Sequence, residues 1–240
     1  MGKGGRIDVY LDCNSPYSYF THMHIRRIRP QLAKHHITIS MHPIFLGGIN
    51  VGSGNKPPWT LPAKATMGTF DGARAKQYFK VPEPDKFSAP PFFPIMSLLP
   101  MRALLFVREE LLDVEGNVED REKFEKAFGE LWNMLWREHE DISKPEVLVK
   151  CLGRHLKKEE AERAVKAARE EKWKKMLVDE TGRLVEKGAY GAPWFIVKNA
   201  KGVEEPFFGS DRFHYIYQFL GVPFRDIEIL PPGGEKEAKL

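Results

Sequence analysis

The chain has 240 residues, of which 42% are hydrophobic and 29% are charged, and these ratios are typical of a globular protein and exclude general disorder. The 37 Lys and Arg residues against 33 Asp and Glu residues give a net charge of +4, which is too mild and too evenly spread to require a nucleic-acid partner. No apolar run approaches the ~20 residues that cross a bilayer, so we also expect no membrane partner.

The N-terminal part of the chain alternates between strand and helix patterns. Residues 6–12 alternate apolar and polar side chains over the length of one strand. A helix follows, with Ser15 as its N-cap and Pro16 in its first position, and we expect Pro30 to end it. Residues 36–42 alternate again, so the segment predicts a strand-helix-strand unit with parallel pairing.

The rest of the chain divides into a loop-rich part, a helical part and a second strand region. Residues 47–100 are rich in Gly and Pro and predict loop with short helical pieces. Helix formers dominate the stretch that follows, including the charged residues from 157 to about 186. Residues 194–197 and 205–208 predict a hairpin, and an amphipathic helix over 213–220 follows it.

The predicted elements begin with a strand-helix-strand unit and end with two strands and a helix. This order is the thioredoxin plan, and the helical stretch between the two parts is an insertion into it. The predicted fold is therefore an α/β, thioredoxin-like domain interrupted by an all-helical domain. We expect the thioredoxin-like domain to consist of residues 6–56 and 186–225, the inserted loop-and-helix domain of 57–185, and a flexible C-terminal tail of 226–240.

The sequence Ser15-Pro-Tyr-Ser18 lies at the first strand-to-helix junction, where redox proteins of this plan carry Cys-x-x-Cys. Both sulfur positions are hydroxyls here, and Cys13 lies on the strand side, so dithiol exchange is excluded at this junction. A hydroxyl next to free backbone N–H groups at a helix N-terminus stabilises an anion, and a thiolate supplied by a ligand is the candidate. The alternative is that Ser15 is only an N-cap.

Pro193, in Gly191-Ala-Pro193, precedes an apolar strand. A cis proline here leaves the peptide groups of Ala192 free to pair with an extended peptide ligand, and an ordinary trans loop proline is the alternative.

Two polar clusters are candidates for binding the ends of such a ligand. Ser210 and the backbone N–H groups after it suit a carboxylate, and Asp211 suits an amino group, unless one of the two is only an N-cap. Asn55 and Lys64 offer an amide and an ammonium for a second carboxylate, with a solvated loop as the alternative.

These motifs together resemble the kappa-class glutathione transferases and the related 2-hydroxychromene-2-carboxylate isomerases, which share a DsbA-like thioredoxin fold with a helical insertion. The resemblance runs in family order from about residue 6 to 222. The motifs that carry it are Ser15-Pro-Tyr-Ser18, Gly54-Asn-Lys-Pro-Pro58 with Leu61-Pro-Ala-Lys64, Phe93-Pro94, Met101-Arg-Ala-Leu104, Leu131-Trp132 with Glu140-Asp-Ile142, Gly188-Ala-Tyr-Gly-Ala-Pro193 and Phe208-Gly-Ser-Asp-Arg212.

The resemblance implies a glutathione S-transferase, a homodimer that uses glutathione as co-substrate in the detoxification of a small apolar electrophile. The sulfur would lie at Ser15, where a hydrogen bond from the hydroxyl favours the thiolate. The residues implied to bind the rest of glutathione are Asn55, Lys64, Ala192, Pro193, Ser210, Asp211 and Arg212. Two alternatives are a glutathione-dependent cis/trans isomerase of the hydroxychromene carboxylate type and a non-catalytic glutathione- or peptide-binding protein.

Aromatic side chains near the junction are candidates for the electrophile pocket, namely Tyr17, Trp59 and Trp194, and packing in the core is the alternative for each. We expect no metal, because His22 and His24 are two positions apart on a helix and point in different directions.

The chain ends in Ala238-Lys239-Leu240, a variant of the peroxisomal C-terminal address. We therefore expect a peroxisomal location, with the mitochondrion or the cytoplasm as alternatives.

Overall fold

The computed structural model describes residues 4–225 and contains one four-stranded mixed sheet. The strands are β1 (Gly5–Leu11), β2 (Ile37–Pro43), β3 (Trp194–Asn199) and β4 (Glu204–Phe208), in the spatial order β2-β1-β3-β4. β1 is parallel to β2 and antiparallel to β3, and β3 is antiparallel to β4. This is the predicted thioredoxin-like arrangement, and both predicted strand pairs are confirmed.

Helices surround this sheet and make up the long segment between β2 and β3. Their bounds are α1 (Pro16–Ala33), α2 (Leu46–Ser53), α3 (Pro62–Tyr78), α4 (Leu98–Phe106), α5 (Val118–Trp136), α6 (Pro145–Leu152), α7 (Lys158–Ala167), α8 (Glu171–Glu186) and α9 (Phe213–Leu220). None of the helices between residues 4 and 225 is long and apolar enough to cross a membrane.

One expectation about a helix end was wrong. α1 does not end before Pro30 but runs through it to Ala33, because buried Leu32 holds the last turn against the core. The helix formers from 157 to about 186 form two helices, α7 and α8, separated by a turn in which the Glu170 N–H donates to the Ala167 carbonyl. This break has no Gly or Pro to mark it in the sequence.

Apolar side chains cover both faces of the sheet. One continuous core joins Ile7, Val9 and Leu11 of β1 to the buried aromatic residues of α1 and α5, including Phe20 and Trp132. A smaller cluster on the opposite face contains Tyr10, Trp194 and Ile196 and is closed by residues of α2 and α8. Packing on both faces of the sheet therefore fixes the end of β1, which leads to Ser15, and the start of β3, which follows Pro193. The boundaries of the inserted domain at residues 57 and 185 stay a prediction.

Candidate active site

Ser15 is the N-cap of α1, and its side chain is almost completely buried. Its hydroxyl oxygen accepts a hydrogen bond from the Ser18 backbone N–H at 3.1 Å. The same hydroxyl donates to the carbonyl oxygen of Ala192, also at 3.1 Å. Pro16 follows in the first helical position, where the N–H that proline lacks would have no partner within the helix. The N-cap interpretation is confirmed, and the hydroxyl also makes a tertiary contact that a simple N-cap does not need.

Two indole groups of α5 hold the backbone of this turn. Trp132 donates from Nε1 to the Ser15 carbonyl at 3.0 Å, and Trp136 donates from Nε1 to the Cys13 carbonyl at 2.9 Å. A spacing of four places both rings on one face of α5. The spacing of these two Trp residues was the available signal in the sequence for this contact.

Asp12 is a fully buried carboxylate just before the turn, and the sequence analysis missed it. Its Oδ1 accepts from the Asn14 N–H at 2.8 Å. Its Oδ2 accepts from the Leu46 N–H at 2.7 Å and from the Ser97 hydroxyl at 2.8 Å. Burial raises the pKa of Asp12 despite these bonds. Asp12 therefore ties the Ser15 turn to the starts of α2 and α4.

Cys13 is fully buried, and burial raises the pKa of its thiol well above the ordinary value. Burial also raises the pKa of Cys151, the second cysteine of the chain. Because the thiolate is the nucleophilic form, neither cysteine is suited to nucleophilic chemistry near neutral pH.

The peptide bond between Ala192 and Pro193 is cis, as the motif predicted. The Ala192 carbonyl accepts the Ser15 hydroxyl, while its N–H has no acceptor within residues 4–225. Ala192 therefore offers a free donor to an extended ligand.

Ser210, Asp211 and Arg212 precede α9, and Arg212, rather than either of the other two, is its N-cap. Ser210 is buried, and the Asp211 carboxylate pairs with the guanidinium of Arg212. Gly209 has a φ of +99°, and a Cβ at this position would lie 2.6 Å from Asp211 Oδ1. Glycine is therefore required for Asp211 to fold back over the turn.

Asn55 and Lys64 flank the α2–α3 connection. The Asn55 amide donates from Nδ2 to the Tyr190 carbonyl at 2.6 Å, which fixes this connection next to the segment that leads to Pro193. Lys64 is exposed in the first turn of α3.

A cavity of about 740 Å³ opens beside Ala192 and Pro193. It brings together five of the predicted site residues, which are Tyr17, Ala192, Pro193, Ser210 and Asp211. Ser15, Asn55, Lys64 and Arg212 are outside its lining. Trp59 instead packs edge-to-face on Phe93, with ring centroids 5.2 Å apart, and Trp194 is buried beside Tyr190 and Phe208.

One wall of the cavity was missed from sequence. It consists of residues of α1, α3 and α9, namely His24, Asp71, Arg74, Tyr78, His214 and Tyr217. Tyr17 and His24 are seven positions apart and share a face of α1, and that spacing was the available signal.

A family model described as a DSBA-like thioredoxin domain matches residues 6–221. Glutathione S-transferase kappa 1 of Caenorhabditis elegans is 34% identical over 93% of this chain and 94% of its own length. Glutathione S-transferase kappa 1 of Homo sapiens is 29% identical over 90% of both chains.

Solved structures share the fold at lower identity. A 2-hydroxychromene-2-carboxylate isomerase superposes with a TM-score of 0.66 at 17% identity, covering 90% of this chain and 94% of its own. The disulfide reductase DsbM of Pseudomonas aeruginosa, solved with GSH, has a TM-score of 0.52 at 15% identity and covers 89% and 93% of the two chains. The chain therefore belongs to the DsbA-like thioredoxin family and, within it, to the kappa-class glutathione S-transferases.

Proposed function

We propose that the protein is a glutathione S-transferase that stabilises the thiolate of bound glutathione for attack on a small apolar electrophile. The observation that carries this proposal is the placement of the Ser15 hydroxyl. It lies at the N-terminus of an 18-residue helix, next to the ligand-pairing peptide of Ala192. With both cysteines buried, the reactive sulfur has to come from a ligand.

Glutathione is proposed to lie across the junction in an extended conformation. Its cysteinyl backbone pairs with Ala192 beside Pro193. Its γ-glutamyl end interacts with Ser210, Asp211 and Arg212, where a buried hydroxyl, a carboxylate and a guanidinium match an α-amino acid head group. Its glycine carboxylate is directed towards Asn55 and Lys64.

The mechanism follows from a change of acceptor at Ser15. When the cysteinyl N–H of glutathione donates a hydrogen bond to the Ala192 carbonyl, the Ser15 hydroxyl turns from that carbonyl to the sulfur. A hydrogen bond to a charged sulfur is worth ~1.5 to 3 kcal/mol, and the α1 dipole adds to it, so the thiol pKa falls by about one to two units. The thiol loses its proton to solvent, the sulfur forms a bond to the electrophilic carbon, and the leaving group departs with the electron pair.

The test is the pKa of bound glutathione, followed through the ultraviolet absorbance of its thiolate. We expect a lowered pKa in the wild type and a pKa near that of free glutathione in Ser15→Ala. Ser18→Ala is the matched control, because the Ser18 hydroxyl is buried and has no partner within the described residues. Equal, unshifted values in the wild type and Ser15→Ala would contradict an enzymatic role and favour the non-catalytic binder.

The isomerase alternative uses the same thiolate and differs in the substrate. Turnover of chlorodinitrobenzene without turnover of a hydroxychromene carboxylate supports the transferase, and the reverse result supports the isomerase.

We further propose that two copies associate through α3. This 17-residue helix has no buried residue and exposes Leu61, just before it, together with Met67 and Phe70. Several exposed apolar side chains on one helix are a feature of interfaces. Sedimentation should detect a dimer that Phe70→Glu weakens, whereas Val178→Glu, at an exposed apolar position on α8, should leave it intact. A monomeric wild type would contradict this proposal.

Location in the peroxisome is proposed from Ala238-Lys239-Leu240, which lies outside the described residues. A fluorescent fusion to the N-terminus should co-localise with peroxisomes and lose that localisation when these three residues are deleted. A mitochondrial or cytoplasmic signal from the intact fusion would support the alternatives.

A further inference from the structure

The far end of the 740 Å³ cavity contains polar groups that the proposed glutathione contacts do not use. Tyr17 lies at the Ser15 end and His24 at the other, seven residues along α1, which corresponds to about 10 Å. Six aromatic rings contribute to the lining, from Tyr17, Tyr78, Phe79, Phe208, Phe213 and Phe224. The cavity therefore suits a long, flat, apolar molecule.

The hydrogen-bond directions at the far end are fixed by a chain of three side chains. Arg27 has only donors, so its Nη2, 2.9 Å from His24 Nδ1, makes that nitrogen an acceptor. In a neutral imidazole the proton is then on Nε2, which donates to the Tyr217 hydroxyl oxygen at 3.0 Å. Burial and the nearby Arg27 charge lower the pKa of His24 to about 4, so the ring is neutral at physiological pH.

Tyr217 lines the cavity and ends this chain with an unused donor. Its oxygen accepts from His24, and its own O–H has no acceptor within residues 4–225. Burial raises the pKa of Tyr217, so the hydroxyl keeps its proton. Because the chain begins at a guanidinium, each bond polarises the next and strengthens the last donor.

We propose that Tyr217 determines specificity for an elongated aromatic electrophile by donating a hydrogen bond to a carbonyl oxygen at the end remote from the reactive carbon. The position of the reactive carbon rests on the proposed transferase function, whereas the hydrogen bond to Tyr217 does not. His24 is a positioning residue in this arrangement, because it acts only through Tyr217.

The first experiment measures binding without chemistry. The probes are para-acetyl-para′-methylbiphenyl and its para-isopropenyl analogue, which has the same shape without the oxygen. We expect the wild type to bind the acetyl probe about tenfold more tightly, as one hydrogen bond to a desolvated donor allows, and Tyr217→Phe to abolish the difference. Tyr215→Phe, on the exposed side of α9, is the matched control and should retain it. Equal binding of both probes by the wild type, or an unchanged preference in Tyr217→Phe, overturns the proposal.

The second experiment uses the chloromethyl forms of the two biphenyls with glutathione. The sulfur bonds to the benzylic carbon and chloride leaves with the electron pair. We expect kcat/KM to favour the acetyl form about tenfold in the wild type, with the preference lost in Tyr217→Phe. A preference in binding but no conjugation of any electrophile would overturn the transferase function and leave the Tyr217 assignment supported. Conjugation without a preference for the acetyl form would overturn the Tyr217 assignment alone. A loss of glutathione affinity in Tyr217→Phe would also overturn that assignment.

Discussion

The Ser15 hydroxyl and the Ala192 carbonyl are 3.1 Å apart although 177 positions separate the two residues in the sequence. The hydroxyl that caps α1 thereby contacts the peptide that precedes Pro193. In the proposed complex glutathione pairs with the same carbonyl, so we expect its binding to redirect the Ser15 hydroxyl.

Replacement of Ser15 by Ala should reduce catalysis more than binding. The hydroxyl stabilises the charged sulfur, so its loss should lower kcat/KM for chlorodinitrobenzene by about 10- to 100-fold near neutral pH. The affinity for an S-alkylated glutathione, which has no thiolate, should stay nearly unchanged. Steady-state kinetics and calorimetry measure the two effects, and equal losses in both would show that Ser15 acts mainly through structure.

Replacement of Asp12 by Ala should destabilise the fold. The variant leaves the N–H groups of Asn14 and Leu46 and the Ser97 hydroxyl without their acceptor in the interior, so we expect a loss of about 3 kcal/mol in the free energy of unfolding. Ser97→Ala removes one of the three bonds and should cost about 1 kcal/mol. Urea unfolding measures both, and similar losses in the two variants would contradict a role for Asp12 in joining the three segments.

Replacement of Gly209 by Ala should weaken glutathione binding. The φ of +99° disfavours any side chain, and the added Cβ would displace the Asp211 carboxylate. Gly202→Ala is the control, because Gly202 has a φ of +82° in the β3–β4 turn and no neighbour within 4 Å of an added Cβ. Both variants should lose about 1 kcal/mol of stability, and only Gly209→Ala should bind glutathione less tightly in calorimetry.

Acid should destabilise the protein through His22. Burial and the charges of Arg26 and Arg29 lower the pKa of His22 to about 3, against about 6.5 in the unfolded chain. The unfolded state therefore binds more protons between these values, and stability falls as the pH drops below about 6.5.

The size of this effect can be isolated with His22→Gln, which does not titrate and keeps a donor for the Glu125 carbonyl. Between pH 7 and 5 the wild type should lose about 2 kcal/mol more than the variant in urea unfolding. An equal loss in both proteins would show that other groups, such as His24, account for the acid sensitivity.

The sequence by itself determined the local structure around the site. The alternation in residues 6–12 and 36–42, the Ser15-Pro16 start of α1 and the motif before β3 are local patterns, because N-caps, first-turn prolines and strand periodicity depend on neighbouring residues. The prediction that α1 ends at Pro30 was wrong because it used only neighbouring residues. The burial of Leu32 against distant residues keeps the last turn of α1 helical.

Only the tertiary structure decided which of these residues meet. The hydrogen bonds from Trp132 and Trp136 to the Ser15 turn, and the three bonds to Asp12, join segments that are far apart in the chain, and no local pattern records them. The far wall of the cavity is similar, because His24 and Tyr217 come together only when the tertiary fold brings side chains of α1 and α9 into contact. The sequence determined the chemical groups at the junction, and packing decided their partners and the direction of each hydrogen bond.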